Sequence, residues 1–269
     1  MQSPNSQLSQ IRVASIATLL LFFGDDCNLA DISAIKLLTF TTYLQQKGLS
    51  PQTCAHCLSL LRRILNIANE YNLAENLHIP KFKLPSFDNK RIRFLSKEEA
   101  QLLLWTLAQR SILWHDISAL ALATGLRAKE IFNLRPYNFD RQNMLLYIID
   151  TKTGKNRSVP INATGFSILK KQNPKKYIFS DRQIKQVSPI FRRAVDDCGL
   201  NPQGIDRRCK VVFHTLRHTF ASWLVQDNVH LSIVSELLGH SDIRMTMRYA
   251  HLAPNQSYSA ISKINLHLP

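Results

Sequence analysis

Helix boundary signals recur along nearly the whole chain, and they constrain its fold more than any other feature of the sequence. Two segments before residue 50 repeat apolar residues at helical spacing, and each one ends at a glycine. Ser50 followed by Pro51 is typical of a helix start, with a cap and then a proline at the first helical position. The three helices predicted from these signals span residues 6–23, from Asp31 or Ser33 to Gly48, and 51–71.

The same signals resume after residue 93, where Ser96 and Glu99 have the spacing of a capping box. Two β-rich runs, 145–150 and 158–161, interrupt the helical pattern and predict an antiparallel hairpin. Further helices are predicted at about 97–109, 112–124, from 128, 187–198, 215–226, 230–238 and from 242. The predicted fold class is therefore mainly α with a small antiparallel β-sheet.

A basic, proline-containing stretch divides the chain. Residues 78–91 contain Pro80, Pro85 and several lysines, a composition typical of an extended linker. We therefore predict two domains, a helical one over 1–80 and an α+β one over 93–269, joined by a linker over 81–92.

The charge of the chain favours a polyanionic partner. The formal net charge is +15 and the pI is near 9.8. Residues 1–90 carry 8 Lys and Arg against 6 Asp and Glu, whereas the remainder carries 26 against 13. Charge alone separates DNA, RNA and anionic membranes poorly. Its concentration on the second half, which also holds the polar residues described below, favours nucleic acid.

Cysteine content and hydropathy indicate a cytoplasmic protein that does not enter a membrane. Five scattered cysteines do not form a disulfide framework. Cys54 and Cys57 have the spacing of one ligand pair of a zinc site. Because the sequence has no second pair at a suitable spacing, they are better explained as core residues of a helix. The apolar run from Ala14 to Phe23 is too short to span a bilayer. The small residues of a signal-peptide cleavage site do not follow this run, so we interpret the run as a buried helix.

Six polar residues of the second half are of the types that can bind and cleave a phosphodiester. Guanidinium groups clamp phosphate oxygens, and a phenol can attack phosphorus. The set is Arg127, Lys152, His214, Arg217, His240 and Tyr249.

This order and spacing resemble the tyrosine recombinases, the phage-integrase family. The first 80 residues, including Gly48 to Thr53, are similar to the core-binding domain of that family, a helical SAM-like DNA-binding domain. That domain usually has one more helix before this point, which leads us to expect a shortened form or a fragment. The resemblance implies that residues 93–269 are the catalytic domain, with a C-terminal docking segment that includes Ile261, Ile264, Leu266 and Leu268. Those four apolar residues could equally cap the core of their own protomer.

The resemblance also implies roles for the residues that match. Tyr249 would attack the scissile phosphate, while Arg127 and Arg217 would bind it. Lys152 would protonate the departing 5′ oxygen, and Lys155 competes for this role.

The resemblance gives the two histidines of the set roles in hydrogen bonding or proton transfer. His214 would act as a general acid or base, or would donate to the phosphate. The i, i+4 spacing of His214 and His218 also fits a metal pair, but the adjacent Arg217 would repel a cation, so we interpret His218 as structural. His240 would hydrogen-bond the phosphate, and Glu130 would orient a neighbour.

These roles predict a metal-independent, cofactor-free, site-specific recombinase. It would act on double-stranded DNA with a specific site, as a homotetramer passing through a Holliday junction, and accessory DNA-bending proteins are compatible partners. The residues expected to contact DNA are Arg62, Arg63, Lys81, Lys83 and Lys155. Three alternatives stay open: a type IB topoisomerase, a DNA-binding module with a dead site, and a metal-dependent nuclease.

Overall fold

A computed structural model of the protein describes residues 7–75, 77–85, 93–149, 156–172 and 176–254, with the side chains of 7–12 left out of the description. The chain divides into two compact units, Met1–Asn89 and Lys90–Pro269. Across the described ranges the structure is mostly helical with one small antiparallel sheet, so the predicted fold class is confirmed.

The first unit contains three α-helices, and their starts follow the capping signals of the sequence. The Oγ atoms of Ser33 and Ser50 accept from the third residue of the following helix, and Pro51 opens the third helix. The core of this unit includes Phe40 and Leu58, both fully buried. The helices are α1 (Gln7–Phe23), α2 (Ala34–Gln46) and α3 (Pro51–Glu70), with a 3₁₀ turn at Leu29–Asp31.

Helix α1 is less buried than its sequence predicts. Leu19 is buried, but Ile16, Leu20 and Leu21 are exposed by 43%, 47% and 74%. The prediction of a helix is confirmed, and the prediction that it is buried holds for one side, where α1 packs against α3 and Phe22 contacts Phe40 of α2. None of the helices in the described ranges is long and apolar enough to cross a bilayer.

Residues 77–85, which include the described start of the predicted linker, pack within the first unit. Leu77, Ile79 and Phe82 contact its core, while Lys81 and Lys83 are exposed. A guanidinium nitrogen of Arg62 donates to the carbonyl oxygen of Phe82, and its carbon lies 4.6 Å from the centre of the Phe82 ring. These apolar contacts were not part of the prediction, which was of a basic, extended linker. Cys54 and Cys57 are buried in the same core, as predicted for core residues.

The first helix of the second unit begins at a complete capping box between Ser96 and Glu99, as predicted. The core of this unit surrounds α5, where nine of thirteen residues are buried. Its α-helices are α4 (Lys97–Arg110), α5 (Ile112–Thr124), α6 (Ala128–Asn133), α7 (Ala163–Lys170), α8 (Pro189–Asp197), α9 (Phe213–Gln226) and α10 (Leu231–Leu238).

The predicted hairpin is confirmed, and a third short strand extends it. The strands are β1 (Phe139–Asp140), β2 (Leu145–Ile148) and β3 (Arg157–Pro160), in the order β1-β2-β3. Both pairings are antiparallel, and Leu146 lies opposite Val159. Strand β1 and helix α7 have no counterpart in the sequence prediction. The helix predicted from 242 is instead two 3₁₀ helices, Ile243–Met245 and Met247–Leu252.

Candidate active site

Two helices of the second unit end next to each other, each at a glycine. Gly125 follows α5 and Gly239 follows α10, with φ angles of 65° and 62° in the left-handed region. A Cβ at Gly125 would lie 2.4 Å from the Phe220 ring, and one at Gly239 would lie 2.8 Å from the Arg157 side chain. Neither position has room for a larger residue, so both turns depend on glycine.

The Arg217 side chain joins these two helix ends. Arg217 is 3% exposed, and its Nη1 donates to the Gly125 carbonyl oxygen at 2.8 Å, while its Nη2 donates to the Leu238 carbonyl oxygen at 2.6 Å. Carbonyl groups at helix C-termini carry partial negative charge and attract a cation. Burial and the neighbouring Arg127 lower the pKa of Arg217 to about 9, which leaves it charged at neutral pH.

A single buried carboxylate holds two further arginines beside Arg217. Glu130 accepts from Arg127 Nη1 at 2.9 Å and from both Arg157 Nη atoms at 3.0 Å. It also accepts from the Arg127 backbone N–H at 2.8 Å. Burial by itself would raise the pKa of Glu130, but the hydrogen bonds and charges of Arg157 and Arg127 outweigh it and lower the pKa. Glu130 is therefore an anion that orients two guanidinium groups.

The three arginines converge on three consecutive carbonyl groups at the end of α10. Arg157 Nε donates to Leu237, Arg217 Nη2 to Leu238 and Arg127 Nη2 to Gly239, at 3.3, 2.6 and 3.4 Å. We call these three arginines with Glu130 the arginine corner. Three cations and one anion leave it with a net charge of +2, held in place mainly by backbone atoms.

His240 directly follows Gly239, whose carbonyl oxygen accepts from Arg127 of the arginine corner. Its Nδ1 lies 2.7 Å from the Oγ1 of Thr246, which is fully buried. Burial, followed by the charges of Arg217 and Arg127, lowers the pKa of His240 to about 4. The imidazole is therefore neutral at pH 7 and can act as a hydrogen-bond donor, in keeping with the role expected from the sequence.

Tyr249 lies on the 3₁₀ helix Met247–Leu252, which we call the tyrosine turn, and packs against α9 and α10. It is 6% exposed, and its hydroxyl lies 2.5 Å from Nδ1 of the equally buried His218. Burial raises the pKa of Tyr249 above its ordinary value, and the charges of Arg248 and Arg217 oppose this only in part. The nearby cations do favour the phenolate, but burial has the larger effect on the pKa of Tyr249.

His214 lies apart from the buried residues of the site, at the surface. It lines a cleft of about 600 Å³ that Arg127 and Glu130 also line. Its ring meets that of His218 edge-on, with centroids 4.7 Å apart. Within the described ranges, no three His, Cys, Asp or Glu side chains come together in a way that could hold a metal ion.

Five of the six predicted site residues lie in the described part of the second unit. Lys152 and its competitor Lys155 lie outside the described residues, as does the C-terminal docking segment. In the first unit Arg63 is exposed, whereas Arg62 is partly buried against Phe82.

Arg157 is a site residue that sequence reasoning missed. A signal was present, because Arg157 and the buried Val159 lie two apart on β3 and therefore on one face of the strand. A charged residue on the buried face of a strand indicates an internal ion pair.

The sequence model of the Phage integrase family matches residues 93–256. Because this match covers more than half of the chain and contains the arginine corner and Tyr249, the chain belongs to the phage integrase family.

Individual relatives agree with this assignment. An integrase of Salmonella phage P22 is 35% identical over 76% of this chain, which spans 54% of that integrase's length. A tyrosine recombinase of Pseudothermotoga lettingae is 27% identical, with 98% of this chain and 97% of the relative covered. The structure of lambda integrase residues 75–356, a dimer bound to a COC′ core site, has a TM-score of 0.73 at 18% identity. It covers 91% of this chain and 89% of that one, and at this identity the likeness is one of fold.

Proposed function

We propose that this chain is a site-specific DNA recombinase that breaks and rejoins strands through a covalent bond between Tyr249 and a 3′ phosphate. One observation carries the proposal. The Tyr249 hydroxyl is hydrogen-bonded to the residue next to Arg217, and Arg217 is part of a preorganised corner of three guanidinium groups. A nucleophile beside fixed cations is what transfer of a phosphodiester requires.

The charge of the arginine corner suits the transition state. A phosphodiester carries one negative charge, and the pentacoordinate state formed by an attacking phenolate carries two. The net charge of +2 offsets that change, and the guanidinium groups need little rearrangement because backbone carbonyls and Glu130 already hold them. His240, neutral at pH 7, supplies a further hydrogen bond to a phosphate oxygen.

Lys152 completes the proposed chemistry as the acid that protonates the departing 5′ oxygen. It lies in the connection between β2 and β3, whose pairing supports a hairpin that could carry the lysine to the DNA. Lys155 stays the alternative for this role. The phosphotyrosyl bond conserves the energy of the broken ester, so a 5′ hydroxyl from another strand can reverse the attack without a nucleotide cofactor.

DNA binding is proposed for both units. Residues 1–80 would serve as the core-binding domain, with the exposed Arg63 on phosphates and Arg62 beside it. The exposed Lys81 and Lys83 of the linker would also contact phosphates. Contacts of this kind predict an affinity that falls steeply with salt. The DNA-bound lambda integrase structure supports this partner by fold. A homotetramer acting through a Holliday junction is the proposed assembly, with the C-terminal segment docking on a neighbouring protomer.

A type IB topoisomerase is the alternative that the same groups support. Such an enzyme would relax a supercoiled plasmid that lacks a recombination site. A site-specific recombinase would leave that plasmid unchanged and would act only when a site is present.

Trapping of the covalent adduct tests the proposal. The protein would be incubated with genomic DNA of the cell that carries its gene, denatured and captured, and the attached DNA sequenced. We expect one recurring sequence, with nucleotide on the tryptic peptide that contains Tyr249 by mass spectrometry. Nucleotide bonded to another residue, or no adduct, would overturn the proposed function. Adducts scattered without a shared sequence would favour the topoisomerase.

A further inference from the structure

The hydrogen bond between Tyr249 and His218 joins the proposed nucleophile to a basic nitrogen. The hydroxyl oxygen and Nδ1 are 2.5 Å apart, which is a short contact between buried groups. Only 6% of Tyr249 and 7% of His218 are exposed, so water competes little for this bond.

Packing on both sides keeps the two rings together. His218 follows Arg217 on α9, and its other neighbour in the site is the edge-on ring of His214. Tyr249 belongs to a small apolar cluster with Ala221 and Leu238, so its ring is part of the core between α9 and α10. Its centroid lies 5.9 Å from that of His218. The contact therefore follows from the packing of the domain.

The attack of Tyr249 requires a proton acceptor. A phenol has a pKa near ~10 and keeps its proton at neutral pH, and burial makes its loss harder here. The guanidinium groups of the arginine corner have no lone pair with which to accept a proton. His240 Nδ1 is engaged with Thr246. His218 Nδ1 already lies at hydrogen-bond distance from the hydroxyl.

We propose that His218 is the catalytic base that accepts the phenolic proton of Tyr249. This rests on the proposed function. As the Oη–P bond forms and the bond from phosphorus to the 5′ oxygen breaks, the proton passes from Oη to Nδ1 of a neutral imidazole that carries its hydrogen on Nε2. A separate acid, proposed as Lys152, protonates the 5′ oxygen. In rejoining, the incoming 5′ hydroxyl gives up its proton to that group, and His218 returns its own to the departing phenolate.

This assignment gives His214 and His218 different roles from those expected from the sequence. His214, exposed in the cleft, is left to donate to the phosphate, and His218 takes the proton-transfer role. The base would therefore be the residue one helical turn further along α9.

Single-turnover cleavage of a nicked suicide substrate containing the recovered site tests the assignment. His218→Asn places a polar atom near the position of Nδ1 without its basicity, and we expect cleavage to fall by about 10²- to 10⁴-fold with unchanged DNA affinity. The matched control is His230→Asn at the exposed start of α10, where asparagine is a good cap. Wild-type rates in His218→Asn would overturn the proposal.

A less basic nucleophile separates proton transfer from mere positioning. Replacing Tyr249 with 3,5-difluorotyrosine lowers the pKa of the phenol and with it the need for a base. In this background, we compare the cleavage rate of the protein with His218 to that of the His218→Asn variant. The ratio between the two rates should be smaller by about tenfold or more than it is with tyrosine, within the range of general base catalysis. An unchanged ratio would mean that His218 only positions the ring, and would overturn the proposal.

A measurement on the wild-type chain covers the case in which the variant does not fold. The ¹⁵N shifts of labelled His218 report which ring nitrogen carries hydrogen, and the proposal requires an unprotonated Nδ1. Hydrogen on Nδ1 of the neutral ring would overturn it. Failure of the proposed function is distinguishable, because it would leave the wild-type chain itself without any covalent adduct.

Discussion

The arginine corner and the tyrosine turn are neighbours that are held in different ways. Each arginine of the corner bonds to a backbone carbonyl of α10, and Glu130 ties two of them together. Tyr249 lies on a 3₁₀ helix, and its hydroxyl is held by His218. The comparison indicates that the electrostatic half of the site is built into the fold, while the nucleophile depends on one side-chain contact and local packing.

The largest effect is expected from removing the nucleophile. Tyr249→Phe should abolish covalent capture on a suicide substrate, because no hydroxyl is left to attack. The change also deletes the bond to His218, worth about 1 kcal/mol of stability, so DNA affinity should stay within twofold to threefold. Tyr71→Phe, at an exposed tyrosine, is the matched control. Covalent product from the Tyr249 variant would assign the nucleophile to another residue.

Loss of an arginine from the corner should impair both chemistry and folding. Arg217→Ala removes a phosphate donor, and cleavage should slow by roughly 10²- to 10³-fold, as for other oxyanion stabilisers. It also leaves the carbonyl groups of Gly125 and Leu238 without their charged partner, at about 1.5–3 kcal/mol for each lost hydrogen bond. Suicide-substrate kinetics and urea denaturation would measure the two effects. The exposed Arg193→Ala should change neither, and a normal cleavage rate in Arg217→Ala would contradict the preorganised corner.

Glu130→Gln keeps the shape of the side chain but removes the anion between two arginines. We expect a loss of about 3 kcal/mol in the free energy of unfolding, the usual range for breaking a buried pair. The folded pKa of Glu130 is lowered, so its stabilisation is complete above about 4.5 and is lost as the pH falls through the folded value. Denaturation at pH 7 and at a pH below the folded pKa should therefore separate variant from wild type mainly at pH 7. Glu236→Gln, at an exposed position, should behave as wild type at both.

The smallest effect concerns the pH dependence that His240 adds. Its pKa is about 4 when folded, against an ordinary value of 6.5. As the pH falls from 6.5 towards 4, the unfolded chain takes up a proton that the folded chain does not, so the free energy of unfolding decreases. One proton contributes at most about 1.4 kcal/mol per pH unit. His240→Asn should lose that slope, and the exposed His56→Asn should keep it. A slope unchanged in His240→Asn would contradict the lowered pKa of His240 in the folded protein.

Local signals predicted most of the elements. The caps at Ser33, Ser50 and Ser96 act within one helical turn, and the glycine stops at 125 and 239 need only the left-handed backbone. Helix α7 escaped prediction although Asn162 caps it, because it is short and follows directly on a strand. The 3₁₀ form of the tyrosine turn was not predicted either, since helical spacing does not distinguish it from an α-helix.

The sequence by itself determined the order of the elements, the basic charge of the second half and the residue types of the site, because these follow from spacing and local chemistry. Only the tertiary structure decided which partners those residues have. Arg157 meets Glu130 across 27 residues and Tyr249 meets His218 across 31, and such contacts depend on how helices and strands pack. Burial is likewise a property of the packed domain, and it keeps the Tyr249 phenol protonated and the His240 imidazole neutral.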